Sequence, residues 1–275
     1  MDESSLRELV RRALDEDAAG DDITTLATVP EHLRGRARLL ANQDAVIAGL
    51  DAFVACFRAL DPGVEIKERR ADGERVRAGD EVAVLEGPLR PILTAERTAL
   101  NLVQRLSGVA TLARAFVEAA AGVQIRDTRK TTPGLRTLEK EAVVAGGATN
   151  HRRDLAAAVL IKDNHIVAAG GITTAVARAR AAQPDRWVEV ECETIEGVRE
   201  ALDAGADEIL LDNMDPPALA DAVKVIAGRA RTEASGGVTL DTVAAIAATG
   251  VDVISVGALT HSAPAVDVSL TVEVL

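Results

Sequence analysis

The sequence contains no tyrosine, and its aromatic side chains are Phe53, Phe57, Phe116 and Trp187. Platforms that stack bases or sugar rings need several exposed aromatics, so nucleobase and carbohydrate clefts of that kind are excluded. A basic excess is also missing: 31 Lys and Arg stand against 43 Asp and Glu, a formal net charge of −12. Such a surface repels a phosphodiester backbone, and no nucleic-acid partner is expected. The two cysteines, Cys56 and Cys192, are too few and too isolated for a disulfide framework or a zinc site. No uncharged apolar run is long enough to cross a bilayer. The N-terminal stretch MDESSLRELVRR is charged throughout and lacks the apolar core of a secretory signal. A cytoplasmic protein without a membrane partner is the expectation.

What is present is an aliphatic, globular composition: 275 residues, 48% hydrophobic and 27% charged. That length suits one large domain or two modest ones. Two rhythms divide it. Up to about residue 110 the pattern is mixed. Ser5-x-x-Glu8 reads as a capping box ahead of the apolar stripe Leu6, Leu9, Val10, Ala13 and Leu14. Arg36–Leu40, Val64–Lys67 and Glu81–Leu85 read as short strands, and 92–121 as one long helical tract with a candidate break at Ser107-Gly108.

From about residue 123 the rhythm is regular. Strand-like runs VQIRD, AAVLIKD, WVEVE, EILLD, RTEAS and DVISVG alternate with amphipathic helical stretches. Alternation with near-continuous apolar strands predicts a parallel sheet with helical crossovers. The later strand ends, Glu191, Asp212, Ser235 and Gly257, recur at the spacing of a small βα unit. The reading is an α/β protein with a barrel or partial barrel of about six strands. An open doubly wound sheet is the alternative, weakened because no GxGxxG follows the first strand.

In a βα barrel, chemistry is carried at the carboxyl ends of the strands. Here those ends hold Asp127-Thr128-Arg129-Lys130, Lys162-Asp163-Asn164-His165, Glu191, Asp212-Asn213, Ser235-Gly236-Gly237 and Val256-Gly257-Ala258. Strand alternation puts Trp187, Glu189 and Glu191 on one face, Asp212 inward with Leu210, and Lys162 with Leu160. Two carboxylates and a lysine thus converge on the barrel mouth, and buried charges persist when they are paired or ligand-bound. A Lys162–Glu191 ion pair that only braces the barrel is the plain alternative. The two late Gly-containing turns, the first followed by a helix expected from Thr239-Leu240, offer backbone N–H groups suited to a phosphate. Arg126, Arg129, Lys130, Arg136, Lys140, His151, Arg152, Arg153 and Lys162 form a cationic cluster unusual in so acidic a chain. Arginine forks suit carboxylates and phosphates, so the site reads as one for a polyanion. Neither a His/Cys metal cluster nor a GxSxG elbow is present, which leaves an oxygen-ligated Mg²⁺ and electrostatic catalysis. The segment 74–86, ERVRAGDEVAVLE, echoes biotinyl and lipoyl hammerheads but has no lysine at its turn, and reads as structural.

The stretch IRDTRKTTPGLRTLEKEAVVAGGATNHRRDLAAAVLIKDNHI (125–166), followed by EVE, EILLDN, SGGV and GVDVISVGALTHSAPAVDVSL, resembles the quinolinate phosphoribosyltransferase family. AERTALNLVQRLSGVAT (95–111) resembles it too. Departures are GGA at 146–148 in place of three glycines, and Arg153-Asp154 in place of a small residue. A molybdenum-locus relative shares part of the pattern, but LIKDNHI argues against it; a non-catalytic phosphate-binding barrel would not need the inward carboxylates. The resemblance implies an N-terminal α/β sandwich over 1–110 joined by the tail 266–275, and an open α/β barrel over 111–265. It implies a homodimer with Arg97 contributed to the partner's site. It also implies Mg²⁺-dependent transfer from phosphoribosyl pyrophosphate to quinolinate, with loss of CO₂. By the same resemblance Arg97, Thr128, Arg129, His151, Arg152 and Lys162 bind quinolinate. Lys130, Lys162, Glu191, Asp212, Ser235, Gly236, Gly237, Val256, Gly257 and Ala258 bind phosphoribosyl pyrophosphate. Lys130, Lys162, Glu191 and Asp212 are the catalytic set, and Glu191 and Asp212 the metal ligands.

Overall fold

The computed structural model describes all 275 residues, Met1–Leu275. The chain begins α1 (Glu3–Glu16), α2 (Ile23–Thr28), β1 (Arg34–Ala41), β2 (Ala45–Val46), α3 (Leu50–Leu60), β3 (Glu65–Arg69), β4 (Arg75–Val76), β5 (Glu81–Pro88) and α4 (Leu89–Ala119). It continues β6 (Gln124–Arg126), α5 (Arg136–Ala145), β7 (Val159–Ile161), α6 (Asp163–Ala169), α7 (Ile172–Ala182), β8 (Val188–Cys192) and α8 (Ile195–Asp203). The last elements are β9 (Glu208–Asp212), α9 (Pro216–Ile226), β10 (Arg231–Ser235), α10 (Val243–Ala247), β11 (Val253–Ser255), α11 (Ala258–His261) and β12 (Val268–Val274). No helix is long and apolar enough to cross a membrane.

Two compact units form. One comprises Met1–Arg114, Thr131–Gly147 and Ala263–Leu275; the other comprises Ala115–Lys130 and Ala148–Ser262. The first unit is built on an antiparallel sheet in the order β12-β1-β5-β3. In β1 burial alternates, with Gly35, Ala37, Leu39 and Ala41 inside, as expected of a sheet packed on one face. The helix α3 turns Phe53 and Phe57 inward, where their rings meet edge to face at 4.9 Å. At α1 the sequence reading is corrected: Asp2, not Ser5, is the cap, its Oδ1 accepting the Ser5 N–H at 2.9 Å, and the helix starts at Glu3. The long tract has no break at Ser107-Gly108. Gly108 sits mid-helix because a Cβ there would lie 2.0 Å from the carbonyl oxygen of Pro264.

The segment 131–147, assigned by sequence to the barrel, belongs to this first unit, and the returning tail starts at Ala263. The reason is Glu139, fully buried, which accepts from Arg105 Nη2 at 2.9 Å, from the Thr132 N–H at 3.0 Å and from the Thr132 hydroxyl at 2.8 Å. Arg105 also donates to the Ala263 carbonyl at 3.0 Å, so one ion pair ties three chain segments together.

The second unit is a parallel six-stranded sheet in the order β6-β11-β10-β9-β8-β7. Each strand pairs with its chain neighbour except β6 with β7, which is an α/β barrel opened at one seam. Strands β8 and β9 are nearly buried throughout, as strands covered on both faces must be. The helix expected from Thr239-Leu240 begins instead at Val243.

Candidate active site

A cavity of about 680 Å³ opens where the barrel strands end at their carboxyl termini. It is lined by Thr128, Arg129, Lys130, His151, Arg152, Lys162, Glu191, Asp212, Ser235, Gly236, Gly237, Gly257 and Ala258, all singled out from sequence. Val256 is not among the lining residues. It is buried, and its N–H is taken by the Arg126 carbonyl at 2.9 Å, so it offers nothing to a phosphate. Arg97 stands exposed on α4, in the first unit.

The open seam shapes one wall. On its free edge β6 bonds the segment around Thr149: the Asp127 N–H reaches the Thr149 carbonyl at 3.0 Å, and the Thr149 N–H reaches the Ile125 carbonyl at 2.9 Å. The Asp127 carboxylate then accepts the His151 N–H at 2.8 Å. This strip carries His151 and Arg152 to the mouth. Arg152 Nη1 donates to the Ala158 carbonyl at 3.0 Å, while burial and then the nearby Arg129 cation push the Arg152 guanidinium below its ordinary value. Two guanidinium groups held this close offer paired forks of a kind that suits a carboxylate. The departure Asp154 closes a local turn by accepting the Ala156 N–H at 2.9 Å.

Opposite them, Lys162 at the end of β7 forms an ion pair with Glu191 on β8. Asp212, at the end of β9, accepts from the Asn213 side-chain amide at 2.6 Å. Burial first and the Glu191 charge second raise the Asp212 carboxyl above its usual range. Two carboxylates that repel one another in a single cavity, with oxygen donors only, suit a hard divalent cation such as Mg²⁺.

The glycine turns sit beside this pair. Gly236 and Gly237 both have positive φ, +95° and +59°. A Cβ on Gly236 would lie 2.2 Å from Asn213 Oδ1, so the turn admits only glycine. Successive N–H groups in such a turn form an anion-binding concavity, here from the loop rather than from a helix start. At the next turn, Gly257 lies under Lys130 and His261, and the Thr260 hydroxyl holds the Lys130 carbonyl at 2.8 Å.

His261, Thr239 and Glu233 line the cavity without having been assigned a role from sequence. Period-two alternation does reach Glu233, two residues before Ser235, and Glu208, four before Asp212. His261 follows a strand end, and only its proximity to Gly257 signals it. The cysteine Cys192 is no nucleophile: burial pushes its thiol up to about 12.

The fold and the cavity define an open-barrel enzyme whose single cavity brings together two arginines, two lysines, two carboxylates and two glycine turns. Comparison with known proteins agrees. The profile for the quinolinate phosphoribosyl transferase N-terminal domain matches residues 22–107, and that for the C-terminal domain matches 109–271. A Synechocystis protein named probable nicotinate-nucleotide pyrophosphorylase (carboxylating) is 46% identical over 265 residues, 94% of this chain and 90% of its own. A Bacillus subtilis protein of the same name is 42% identical over 99% of this chain and 95% of its own. The crystal structure of NadC from Streptococcus pyogenes, 40% identical, superposes with a TM-score of 0.96 over 100% of this chain and 99% of its own. The chain belongs to the quinolinate phosphoribosyltransferase family.

Proposed function

We propose that the protein transfers the phosphoribosyl group of phosphoribosyl pyrophosphate to quinolinate and releases CO₂, forming nicotinate mononucleotide for NAD biosynthesis. The observation that carries this reading is the joint lining of one cavity by Arg129, Arg152, Lys130, Lys162, Glu191, Asp212 and two glycine turns. Relatives at 42–46% identity bear names for this activity.

The residues divide the work. Arg129 and Arg152 hold the two adjacent carboxylates of quinolinate. The turns at Ser235–Gly237 and Gly257-Ala258 hold the 5′-phosphate, and Lys130 the pyrophosphate. The pyridine nitrogen attacks ribose C1 as the bond from C1 to the pyrophosphate oxygen breaks, and positive charge develops on the ribose. Glu191 and Asp212 face that charge in a partly buried site, where electrostatic stabilisation is strong. These two carboxylates would also hold Mg²⁺, which supplies charge neutralisation to the departing pyrophosphate. Once the nitrogen is quaternary, the bond from C2 to its carboxylate breaks, CO₂ leaves, and the carbanion, stabilised as an ylide, takes a proton. Positioning supplies much of the rate, because the reacting nitrogen and C1 are held together. By family resemblance the working form is a homodimer in which Arg97 completes the partner's site.

The test incubates the purified protein with phosphoribosyl pyrophosphate, Mg²⁺ and either quinolinate or nicotinate. Quinolinate yields mononucleotide and CO₂, with a specificity constant about two orders of magnitude above that for nicotinate, because one carboxylate leaves desolvated cations unpaired. Comparable constants for the two acids overturn the dicarboxylate reading, and no mononucleotide from either overturns the reaction.

A further inference from the structure

At the floor of the substrate cavity lies a second charged layer that the reaction does not use. Arg126 (β6), Glu189 (β8), Glu208 (β9) and Glu233 (β10) are all buried in the barrel interior. One guanidinium nitrogen, Arg126 Nη1, serves both Glu208, at 2.9 Å, and Glu233. The Trp187 indole N–H donates to Glu208 Oε2 at 3.0 Å, and His151 Nε2 lies 3.0 Å from Glu189 Oε2. Glu189 Oε1 and Glu233 Oε1 have no hydrogen bond of normal length; His151 Nε2 stands 3.7 Å from Glu233 Oε1, and the Ser255 hydroxyl also bears on the Glu233 carboxyl.

Three carboxylates crowd this layer around the Arg126 guanidinium. The other cationic groups are on its cavity side: Arg152, whose charge acts on Glu189, and His151, whose Nε2 is 3.7 Å from Glu233 Oε1. The His151 Nδ1 accepts the backbone N–H of Arg152 at 2.7 Å, which turns Nε2 toward Glu189 and Glu233. With Nδ1 accepting that N–H, the ring hydrogen is on Nε2, so the trio His151, Glu189 and Glu233, whose ligand atoms lie within 4.8 Å of one another, is poorly suited to a metal ion. Asp127, at the end of β6, is turned to the His151 N–H at 2.8 Å. Carboxylates crowded in a buried layer repel one another, and a proton on one of them relieves that repulsion.

We propose that Glu233 is a proton-holding positioning residue. It carries a proton within this layer and retains it more tightly when a dicarboxylate dianion binds above, so that substrate binding takes up a proton. The inference rests on the quinolinate reading of the cavity and deepens it. Burial first, then the Glu189 charge, push the Glu233 carboxyl up to about 7, which leaves it partly protonated at neutral pH and poised to respond. A dianion placed on Arg129 and Arg152 adds negative charge near the same layer and raises the proton affinity of Glu233 further. Through Glu189 and His151 the layer sets the backbone position of Arg152, so its charge state bears on how well that arginine is held.

The probe is phthalate, a dicarboxylate that cannot react and is doubly ionised from pH 7 upward. Calorimetric titration at pH 7.5 in phosphate and in Tris, buffers of different ionisation enthalpy, reads the protons taken up on binding. Wild-type protein takes up roughly half a proton to one, and its affinity falls roughly fivefold to tenfold between pH 7 and 8.5. Glu233→Gln, which mimics the protonated acid, binds phthalate without that uptake and with a nearly flat pH profile. Infrared difference spectra of the wild type alone supply a second reading: a protonated-carboxyl band lost between pH 7 and 8.5 in free protein and kept with phthalate. Absence of proton uptake, equal uptake in Glu233→Gln, or absence of the band overturns the proposal. Proton-linked phthalate binding in a protein that makes no mononucleotide would sink the reaction reading and leave this one standing.

Discussion

The side-chain amide of Asn213 donates to the carboxylate of Asp212 at 2.6 Å while its own backbone sits in the left-handed region, at φ 54°. A non-glycine residue rarely takes that conformation, and the strain is held by the Asn213 N–H on the Ser235 carbonyl at 2.9 Å. The carboxylate is thus aimed by its neighbour. Asn213→Gly keeps the backbone and removes the amide. Its kcat/KM for phosphoribosyl pyrophosphate is expected to fall about tenfold to a hundredfold, as for other groups that orient a ligand. Thermal melting separates this from misfolding: the Gly variant melts near wild type, whereas Gly236→Ala, forced against Asn213, melts lower.

Glu191 and Asp212 face the cavity rather than the aliphatic core. Alanine at either position is expected to lower kcat by about 10²–10³ with little change in melting temperature. Near wild-type turnover in either variant contradicts their electrostatic role, as does unfolding of both.

A shared site predicts complementation. Mixing inactive Arg97→Ala with inactive Glu191→Ala protein, after exchange of subunits, is expected to restore part of the activity through hybrid dimers. Mixtures that exchange and stay inactive show that Arg97 does not act across an interface.

Glu233 also predicts an unusual stability profile. Its folded carboxyl, raised from 4.5 to about 7, binds its proton more tightly than the unfolded chain does. Between those values the native state holds more protons, so this group's contribution declines as pH rises and is at its worst above about 7. Glu233→Gln removes the effect. Relative to wild type, its melting temperature is expected to be several degrees better at pH 8 than at pH 5, at about 2–4 °C per kcal/mol for a chain of this size. A pH-independent difference contradicts the assignment.

The barrel was readable because each strand end repeats the same events, an apolar run closing on a polar residue followed by an amphipathic helix. Glu191 and Asp212 follow from alternation alone. The partition of residues 131–147 was not readable, since it depends on Glu139 meeting Arg105, residues in different chain segments whose pairing no local pattern reports. Glu208 and Glu233 lay on the inward face by the same alternation that revealed Asp212. What hid them is that they stand below the mouth, where charge is not anticipated. Val256 shows the converse: it shares a turn with Gly257, yet its N–H is committed to a neighbouring strand.

The unpaired edge between β6 and β7 makes the protein's own backbone a reporter of occupancy. The strip that covers β6 is held by a few hydrogen bonds at Asp127, Thr149 and His151, without a full strand behind it. Such a strip opens at lower free energy than the sheet interior. Because it also carries His151 and Arg152, a ligand on that wall must clamp it. Amide hydrogen exchange at Asp127, Thr149 and His151 is therefore expected to slow severalfold when a dicarboxylate binds, while amides of β9 and β10 hold their rates, so the place where the cylinder fails to close is also where it registers that it is full.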